Sequence, residues 1–363
     1  MDSSNLFPIV QKGKTGYIDS TGKIIIRPQY DLACKFSEGL ARVKEENQWG
    51  YINKTGQYVI ALQDFDFAYD FSEGLALVKI GNQWCYINKT GQYVIDLQCY
   101  YSANDFVEGL ARVDMSNRCG YINKTGQYVI NLPDGYSAYN FSEGLARVSV
   151  GNRWGYINKT GEYIIDLSTF AFAKDFSEGL AAVRIGRKFG YIDKTGQFTI
   201  SPEFDEAGNF VEGLAPVKVR NWWGYIDATG QILIAPKFSM AFDFAEGLAA
   251  VKIWNLWGYI NKTGQFVIPP QCQEVENFTG GVARVSIDFT WGYIDKSGIT
   301  IANDELDFRD DIRFVPFIYL AWLSKVGNRI LYKTGIVTFL LVLIMLPWFN
   351  FCQWLESRQK SSR

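Results

Sequence analysis

Apolar and polar residues alternate in short stretches along most of the chain. The segment 36–60, FSEGLARVKEENQWGYINKTGQYVI, contains three of these stretches, at Leu40–Lys44, Trp49–Asn53 and Gln57–Ile60. A period of two residues is typical of β-strands that bury one face. The pattern therefore predicts three short strands in this segment, which we name strand A, strand B and strand C.

A tight turn is predicted between strands B and C. Its sequence is Asn53-Lys54-Thr55-Gly56, with Asn at the first position and Gly at the fourth. This pattern is typical of a type I turn followed by a G1 bulge, because Gly adopts a positive φ without steric cost. The same turn recurs in phase at 19–22, 88–91, 123–126, 158–161, 193–196, 227–230, 261–264 and 295–298.

The whole pattern repeats at intervals of 34 or 35 residues. The Tyr of strand B falls at Tyr17, Tyr51, Tyr86, Tyr121, Tyr156, Tyr191, Tyr225, Tyr259 and Tyr293. A second phrase, Phe-x-Glu-Gly-Leu-Ala, keeps the same period from Phe36 to Phe278. A fixed period of this length indicates stacked supersecondary units, since each unit is too small to bury its own apolar face.

These features predict an all-β repeat array of nine three-stranded meanders, one for each Tyr. We expect an open superhelical solenoid, with a closed propeller-like ring as the alternative. Two arguments favour the solenoid. No unit is divided between the two ends of the chain, and propeller blades usually have four strands.

Positions within the unit differ in how much they vary. Ala41 and Val43 recur in every copy of strand A after the first, so we expect them to face a close neighbour. The residue between them, Arg42, varies freely and is predicted to face solvent. The recurring Tyr and Phe rings are expected to contact their counterparts in the next unit and to fill the core between units.

Two further sets of side chains are candidates for function. The Glu of Phe-x-Glu-Gly is best explained as an acceptor of backbone N–H groups, although a row of acids could also bind cations. Exposed Trp and Arg side chains of the repeat could contact a ligand. The candidate ligand-facing residues are Trp49, Trp84, Trp154, Trp222, Trp254, Arg42, Arg112 and Arg147. The A–B loops and the segments after strand C vary most, and binding usually resides in such loops.

Composition excludes several classes of function. The net charge of −2 lacks the basic excess of a nucleic-acid-binding surface, so no nucleic-acid partner is expected. The chain has no His, which removes the commonest general base and metal ligand. Its six Cys occupy different positions of the repeat, as expected of free thiols. The sequence therefore predicts no catalytic residues, no metal site and no cofactor.

The C-terminal part of the chain departs from the repeat. After the repeat domain, 1–301, an acidic linker and a short apolar segment occupy 302–335. Residues 336–355, IVTFLLVLIMLPWFNFCQWL, carry no charge and are long enough to cross a bilayer as a helix. A short polar tail, 356–363, follows. No signal peptide is visible at the N-terminus, so we expect a single-pass, tail-anchored membrane protein with its repeats in the cytoplasm.

The repeats resemble the WG-repeat (KWG-type) family. The family pattern is Phe-Ser-Glu-Gly-Leu-Ala-x-Val, then Trp-Gly-Tyr-Ile-Asp-Lys-x-Gly, then Ile-x-Pro-x-Tyr/Phe, and the match extends from about Leu6 to Ile301. The last element is present at Pro28–Tyr30, Pro202–Phe204 and Pro236–Phe238, and units two to five depart from it. The resemblance implies a β-repeat used for binding and assigns no common catalytic activity.

The leading functional hypothesis is a non-enzymatic, membrane-anchored scaffold that binds a partner protein through its variable loops. Carbohydrate or cell-wall binding by the aromatic rows is the alternative, and it requires the repeats to lie outside the cell. An enzyme is the weakest hypothesis, because no nucleophile–base pair, phosphate loop or metal-ligand spacing is present. The sequence leaves open the partner, the membrane orientation and the loops that bind.

Overall fold

The computed structural model describes residues 5–304, except 98–99 and 116–117, and gives no side-chain description for 167–169. The chain divides into two units, Met1–Asp311 and Ile312–Arg363, and every described residue belongs to the first. The transmembrane helix predicted at 336–355 lies outside the described residues, as do the tail and most of the linker. The part of the chain that the structure describes contains no helix that could span a bilayer.

The described residues form nine small antiparallel sheets that follow one another along the chain. We call these sheets blades 1 to 9. In blades 2 to 9 a short first strand, here called the inner strand, pairs with strand A, which pairs with strand B, which pairs with strand C. Blade 1 has strands A, B and C only: β1 (Phe7–Gln11), β2 (Lys14–Ile18) and β3 (Ile24–Tyr30).

The strands of blades 2 to 5 are, in the order inner, A, B and C, β4 (Leu32–Ala33), β5 (Leu40–Glu45), β6 (Gln48–Asn53), β7 (Tyr58–Gln63), β8 (Phe67–Ala68), β9 (Leu75–Ile80), β10 (Gln83–Asn88), β11 (Tyr93–Asp96), β12 (Ser102–Ala103), β13 (Leu110–Met115), β14 (Arg118–Asn123), β15 (Tyr128–Asn131), β16 (Tyr136–Ser142), β17 (Leu145–Val150), β18 (Arg153–Asn158) and β19 (Tyr163–Phe170).

The strands of blades 6 to 9 are, in the same order, β20 (Phe172–Ala173), β21 (Ala181–Ile185), β22 (Lys188–Ile192), β23 (Phe198–Phe204), β24 (Glu206–Ala207), β25 (Leu214–Val219), β26 (Trp222–Asp227), β27 (Ile232–Phe238), β28 (Met240–Ala241), β29 (Leu248–Ile253), β30 (Leu256–Asn261), β31 (Phe266–Cys272), β32 (Glu274–Val275), β33 (Val282–Ile287), β34 (Thr290–Asp295) and β35 (Thr300–Asn303).

The prediction of three-stranded units was wrong because the inner strand is short and irregular. In blade 2 it pairs with strand A only at Leu32↔Lys44 and Ala33↔Val43. The chain then runs to a tight turn, which an isolated bridge between Ser37 and Leu40 closes. Two paired residues leave no alternation to read from the sequence.

Neighbouring blades pack face to face. Leu40, Trp49 and Tyr51 of blade 2 share a buried cluster with Ala76 and Val78 of blade 3. Equivalent clusters join the later blades, and the small Ala and the Val of strand A are fully buried in them. The expectation that these two residues face a close neighbour is therefore confirmed.

The Tyr of strand B joins each blade to the next. Its ring contacts the Phe of the following blade, with ring centroids 4.9 Å apart for Tyr51–Phe71 and for Tyr86–Phe106. Its hydroxyl donates a hydrogen bond to a backbone carbonyl of the following blade, in or next to the inner strand wherever that blade has one, as from Tyr121 to Tyr139 O at 2.6 Å and from Tyr51 to Tyr69 O at 2.7 Å. The expected stacking of like rings was wrong, since a Tyr meets a Phe rather than another Tyr.

The last blade packs against the first, so the array is a closed nine-bladed propeller. Tyr293 of blade 9 contacts the Phe7 ring of blade 1 at 5.7 Å and donates a hydrogen bond to Pro8 O at 2.8 Å. The prediction of an open solenoid was therefore wrong, and its ring alternative agrees with the structure. The repeat defines how neighbouring blades pack, but the sequence does not reveal the small rotation per blade that closes the ring.

Blade 1 lacks an inner strand in the described residues, and local substitutions compensate for it. Phe7 occupies the register of the small Ala of other strands A, opposite Ile18, and its ring meets Tyr293. Val10 N–H donates to the carboxylate of Asp304 in blade 9 at 3.0 Å. Pro8 has no N–H to leave unpaired at this edge, as is common in edge strands.

The prediction that the Arg42 position faces solvent was also wrong. Its equivalents Leu77, Ala182 and Ala250 are buried, with exposed fractions of 1%, 1% and 0%. Both faces of a propeller blade are covered by neighbouring blades. Strand A therefore has no solvent face on which a variable residue could lie.

Candidate functional site

The ring has two different faces, because the strands of each blade are antiparallel. The B–C turns and the x-Glu-Gly turns lie on one face, which we call the turn face. The A–B hairpins and the starts of the inner strands lie on the other, which we call the hairpin face, since Leu32 pairs with Lys44 beside the hairpin. The outer strands C form the rim.

Side chains on the turn face are used in the fold itself. The Asn53 side-chain oxygen accepts hydrogen bonds from the N–H groups of Thr55 and Gln57, both at 3.0 Å. Gly56 has φ of 82° and donates to Asn53 O at 3.0 Å. These contacts confirm the predicted turn. They also show why Asn or Asp begins every copy.

The recurrent Glu of the turn face links adjacent blades. The Glu38 carboxylate of blade 2 accepts the N–H of Gly74 in blade 3 at 2.9 Å and pairs with Lys89 of blade 3 at 3.1 Å. We call this arrangement the Glu–Gly–Lys clasp. It confirms that the Glu accepts backbone N–H groups, although the donor belongs to the next blade.

The clasp changes the acidity of its Glu. Burial alone would raise the pKa of Glu73, but Lys124 and the Gly109 N–H outweigh it and lower the pKa below its ordinary value. The same causes lower the pKa of Glu38, Glu143, Glu212 and Glu246. These five carboxylates are therefore ionised at neutral pH and paired with Lys, which is the arrangement of a structural element.

Residues just before the recurrent Phe lie nearest the ring axis, where alternate blades approach one another. The charge of Asp105 in blade 4 interacts with Arg42 in blade 2, and Asp243 in blade 8 interacts with Lys174 in blade 6. Burial raises the pKa of Asp105, and the nearby charge of Asp70 raises it further. Burial likewise lowers the pKa of Lys174. The axis thus holds a partly buried, mixed-charge network.

The hairpin face exposes large apolar side chains. Phe289 is 89% exposed, Tyr101 is 72% exposed and Trp254 is 64% exposed, the three highest values among the large hydrophobic side chains that the structure describes. Trp222, at 50%, and Phe67, at 53%, lie on the same face. The turns of the opposite face are polar. The hairpin face therefore presents the most exposed aromatic side chains of the described residues, although the strands C of the rim also expose apolar residues such as Tyr93 and Leu233.

Several hairpin tips have an unusual backbone. The first tip residue is Gly in blades 3, 5 and 6, with φ of 57°, 58° and 58° at Gly81, Gly151 and Gly186. In blades 7 and 8 the same position is Arg220, with φ of 59°, and Trp254, with φ of 58°. A bulky residue at positive φ is strained, and such strain often marks a functional position.

Charge on the hairpin face is divided between two sectors. Between 185 and 257 the face carries six cations and three carboxylates: Arg187, Lys188, Lys218, Arg220, Lys237 and Lys252 against Glu203, Asp205 and Glu206. Between 44 and 118 the ratio is reversed, with Glu45, Glu46, Asp64, Asp66, Asp96 and Asp114 against Lys44, Lys79 and Arg118. We call these the basic sector and the acidic sector.

The three Arg residues that the sequence suggested as ligand-facing lie between blades. Arg42 pairs with Asp70 of blade 3 at 2.9 Å, and Arg147 pairs with Asp175 of blade 6 at 2.7 Å. Arg112 pairs with Asp114 of its own strand at 2.7 Å. Each guanidinium is therefore held by a carboxylate within the ring.

The five Trp candidates differ in exposure. Trp49 is 7% exposed and packed in the core. Trp84 and Trp154 are half-buried: Trp84 Nε1–H donates to Tyr101 O at 3.0 Å, and the Trp154 ring stacks on Tyr139. Only Trp222 and Trp254, in neighbouring blades, project from the hairpin face.

The structure adds three apolar residues that sequence reasoning did not single out: Phe67, Tyr101 and Phe289. Phe289 is the second residue of the blade 9 hairpin tip, where a polar residue or Gly is usual. An apolar residue at a two-residue hairpin tip was the signal that could have identified it. Phe67 begins an inner strand, and Tyr101 directly precedes one, and both strands are too short to recognise from the sequence.

Comparison with known proteins establishes the family. A model of the WG containing repeat matches residues 16–49, 49–84, 86–119, 120–154, 154–189, 189–221, 223–256 and 257–288. The chain belongs to the WG-repeat family. A search of curated proteins gives no significant match. The recurring residues of the WG repeat form the turns, the aromatic contacts and the clasps. They do not explain the exposed aromatic residues of the hairpin face.

One solved structure resembles the fold of the ring. This WG-repeat protein is similar to a structure described as a eukaryotic initiation factor, with a TM-score of 0.61 and 12% identity over 84% of this chain and 96% of that chain. Dihydro-heme d1 dehydrogenase NirN is less similar, with a TM-score of 0.48 and 14% identity over 84% of this chain and 74% of that one. Hsv2p of Kluyveromyces lactis has a TM-score of 0.42 and 6% identity over 61% of this chain and 89% of that chain. At such identities the first likeness concerns the fold alone, and the other two are too weak to bear on function.

Proposed function

We propose that this WG-repeat protein is a non-enzymatic scaffold that binds a partner protein on its hairpin face and is anchored to a membrane by residues 336–355. The observation that carries the binding proposal is the set of protruding aromatic tips in three consecutive blades, formed by Trp222, Trp254 and Phe289. Exposed aromatic side chains of this kind are enriched where proteins bind one another.

The difference between the two faces supports this proposal. The turn face repeats almost unchanged from blade to blade, and its Glu, Lys and Asn side chains bind neighbouring blades or their own turns. The hairpin tips differ between blades in size, charge and backbone conformation. Variation on a rigid scaffold is the usual way in which repeat proteins recognise specific partners.

The membrane anchor rests on the sequence of 336–355, which is uncharged and long enough for a spanning helix. Such a segment would keep the scaffold, with whatever it binds, at a membrane surface. The cytoplasmic side remains our proposal for the repeats, and protease protection in intact cells tests it. Digestion of the repeats from outside the cell would contradict it.

Site-specific photocrosslinking tests the binding proposal. A photoreactive amino acid at Phe289 of the full chain should give a discrete crosslinked partner in cells. Trp222→Ser with Trp254→Ser should abolish that product, because both rings would leave the interface. Tyr58→Ser with Tyr93→Ser is the matched control, since these aromatics are 40% and 54% exposed on the rim. A partner that survives the hairpin variant, or is lost equally in the control, would contradict the proposal.

Carbohydrate binding, the alternative, draws less support from the structure. It would use the aromatic rows of the repeat, yet Trp49 is buried and Trp84 and Trp154 are half-buried against their neighbours. The exposed Trp222 and Trp254 remain as a pair that could stack on a sugar. A glycan array probed with the full chain distinguishes this alternative from a protein partner.

A further inference from the structure

We propose that the basic sector of the hairpin face, at Arg220, Trp222, Lys252 and Trp254, is a docking site for an acidic, extended segment of the partner protein. This inference deepens the proposed function, on which it rests, by assigning the chemistry of the partner and the blades that bind it. The site lies on two adjacent hairpins, those of blades 7 and 8.

Cations that are not neutralised within the ring supply the charge. Lys188 pairs with Asp205 at 2.6 Å and Lys218 pairs with Glu206 at 2.5 Å, so these two are already matched. Arg187, Arg220 and Lys252 form no salt bridge with any residue that the structure describes. Arg220 is exposed, whereas Lys252 is half-buried with its ammonium 5.4 Å from the Trp257 ring centroid. Guanidinium and ammonium groups near exposed aromatic rings bind carboxylates and apolar side chains together.

Backbone strain is the second, independent observation. Arg220 and Trp254 hold φ values of 59° and 58° at a position where three other blades have Gly. Gly would relieve the strain in both hairpins, since it adopts a positive φ without steric conflict. Lys12, Glu46 and Asp288 also hold a positive φ at the first tip position, but in those hairpins the second tip residue has a positive φ as well. Arg220 and Trp254 are the bulky residues at the position that the three Gly hairpins share, and both belong to the basic sector. Their side chains are therefore best explained by recognition rather than by stability.

The distribution of charge favours an acidic protein segment over an anionic lipid surface. A ring lying flat on a membrane would bring the acidic sector, including Glu46, Asp64 and Asp66, as close to the lipid as the basic sector. The resulting repulsion would offset the attraction of Arg220 and Lys252. A narrow extended segment can cross the hairpins of blades 7 and 8 and avoid the opposite side of the ring.

A peptide titration tests the proposal with the full chain in neutral nanodiscs. The probe is a fluorescent peptide of repeated Glu-Leu-Pro-Glu units, and the control peptide has Lys in place of Glu. We expect saturable binding of the acidic peptide that weakens steeply with salt. Arg220→Gly with Trp254→Gly should weaken binding at least tenfold and, because the strain is removed, raise the melting temperature.

Glu46→Gly is the matched control variant. Glu46 also has a positive φ, 45°, at a hairpin tip, but it belongs to the acidic sector. This variant should raise the melting temperature and leave peptide binding unchanged. A fall in melting temperature for the Gly variants would show that these tips are not strained and would overturn the argument.

Three other results overturn the docking proposal. The Lys peptide could bind as tightly as the acidic peptide, or Arg220→Gly with Trp254→Gly could leave acidic-peptide binding unchanged. Phosphatidylserine vesicles could also displace the peptide where phosphatidylcholine vesicles do not. The last result would assign the sector to a lipid surface. If the peptide fails to bind while the crosslinked partner still depends on Trp222 and Trp254, the proposed function stands and only the acidic chemistry falls. If both fail, both are overturned.

Discussion

The hydroxyl of the strand B Tyr donates a hydrogen bond to the following blade in each of the nine described blades. It donates to a carbonyl of the following blade at 2.5 to 3.0 Å, and the ninth copy, Tyr293, donates to Pro8 of blade 1. Burial raises the pKa of these phenols, so they stay protonated and able to donate at any ordinary pH. One side chain therefore links every pair of neighbouring blades.

Burial and neighbouring charges change the pKa of ionisable residues near the ring axis. Asp105 has no salt-bridge partner among the described residues, and burial together with the charge of Asp70 raises its pKa. A group whose pKa is raised on folding stabilises the protein at low pH. This contribution is lost as the pH rises through the folded-state pKa. Asp105 should therefore destabilise the ring at neutral pH.

Asp105→Asn tests this directly, and Asn140 and Asn209 already occupy the equivalent position. The variant should be more stable than the parent at pH 7, by about 0.5–1 kcal/mol. The difference should vanish below the ordinary pKa of Asp, because the parent is then protonated in both states. Denaturant titrations at several pH values measure it, with Asp288→Asn at an exposed tip as the control. Equal stability of parent and variant at pH 7 would contradict this account of the axis.

At the residue scale, sequence comparison could predict the turn Asn, the buried Ala and Val and the role of Glu. It could not pair Glu38 with Lys89, because the two are separated by 51 residues and lie in different blades. It placed Arg42 in solvent because it assumed that one strand face was free. Burial on both faces is a property of the ring, and no single repeat contains it.

At the scale of the blade, the Glu–Gly–Lys clasp recurs between most neighbours but not all. Glu178 of blade 6 accepts the N–H of Gly213 in blade 7 at 2.9 Å, yet Ala228 stands where most blades have Lys. Blade 9 has Gly280 in place of the Glu, and blade 1 has Ser20 in place of the Lys. These exceptions provide a variant and a control for measuring how much the Lys–Glu ion pair contributes to stability.

Ala228→Lys should complete the clasp between blades 6 and 7. The pairs in other clasps are partly exposed, as in Lys124–Glu73 with side chains 45% and 30% exposed. We therefore expect a gain of only about 0.3–1 kcal/mol, which high salt should remove. Ser20→Lys is the control, because Gly280 offers no carboxylate, and it should give no salt-dependent gain. An equal gain in stability for both variants would show that the Lys–Glu ion pair does not contribute to the stability of the clasp.

Elements were predictable to different degrees. Strands A, B and C and the turn between B and C follow from alternation and from Asn and Gly, and the structure confirms them. The inner strand was missed because most copies pair at only two residues, such as Phe67↔Lys79 and Ala68↔Val78. The hairpin tips of blades 7 and 8 were also unpredictable, because Arg220 and Trp254 break the rule that favours Gly there.

At the scale of the whole molecule, closure determines which surfaces exist. A solenoid would offer a continuous strip of hairpins with two free ends. The ring instead brings blade 9 beside blade 1 and gathers the hairpins onto one face. The seam between first and last blades uses side chains that other blades lack at the equivalent positions, including Phe7 and Asp304.

Closure also joins blades 2 and 9 across blade 1. The Lys35 ammonium lies 2.7 Å from the Glu276 carboxylate, although 241 residues separate them. In an open array these two groups would be separated by the length of the solenoid. The clasp pair Lys124–Glu73, at 3.0 Å, joins adjacent blades and would form in either arrangement.

Zero-length carbodiimide crosslinking of the full-length monomer, read by mass spectrometry, uses these two pairs to test the ring most directly. The ring predicts an intramolecular crosslink between Lys35 and Glu276 together with the Lys124–Glu73 crosslink, and loss of only the first in Lys35→Gln. Repeated detection of the Lys124–Glu73 crosslink without any Lys35–Glu276 product would contradict the closed propeller and the two faces defined by it.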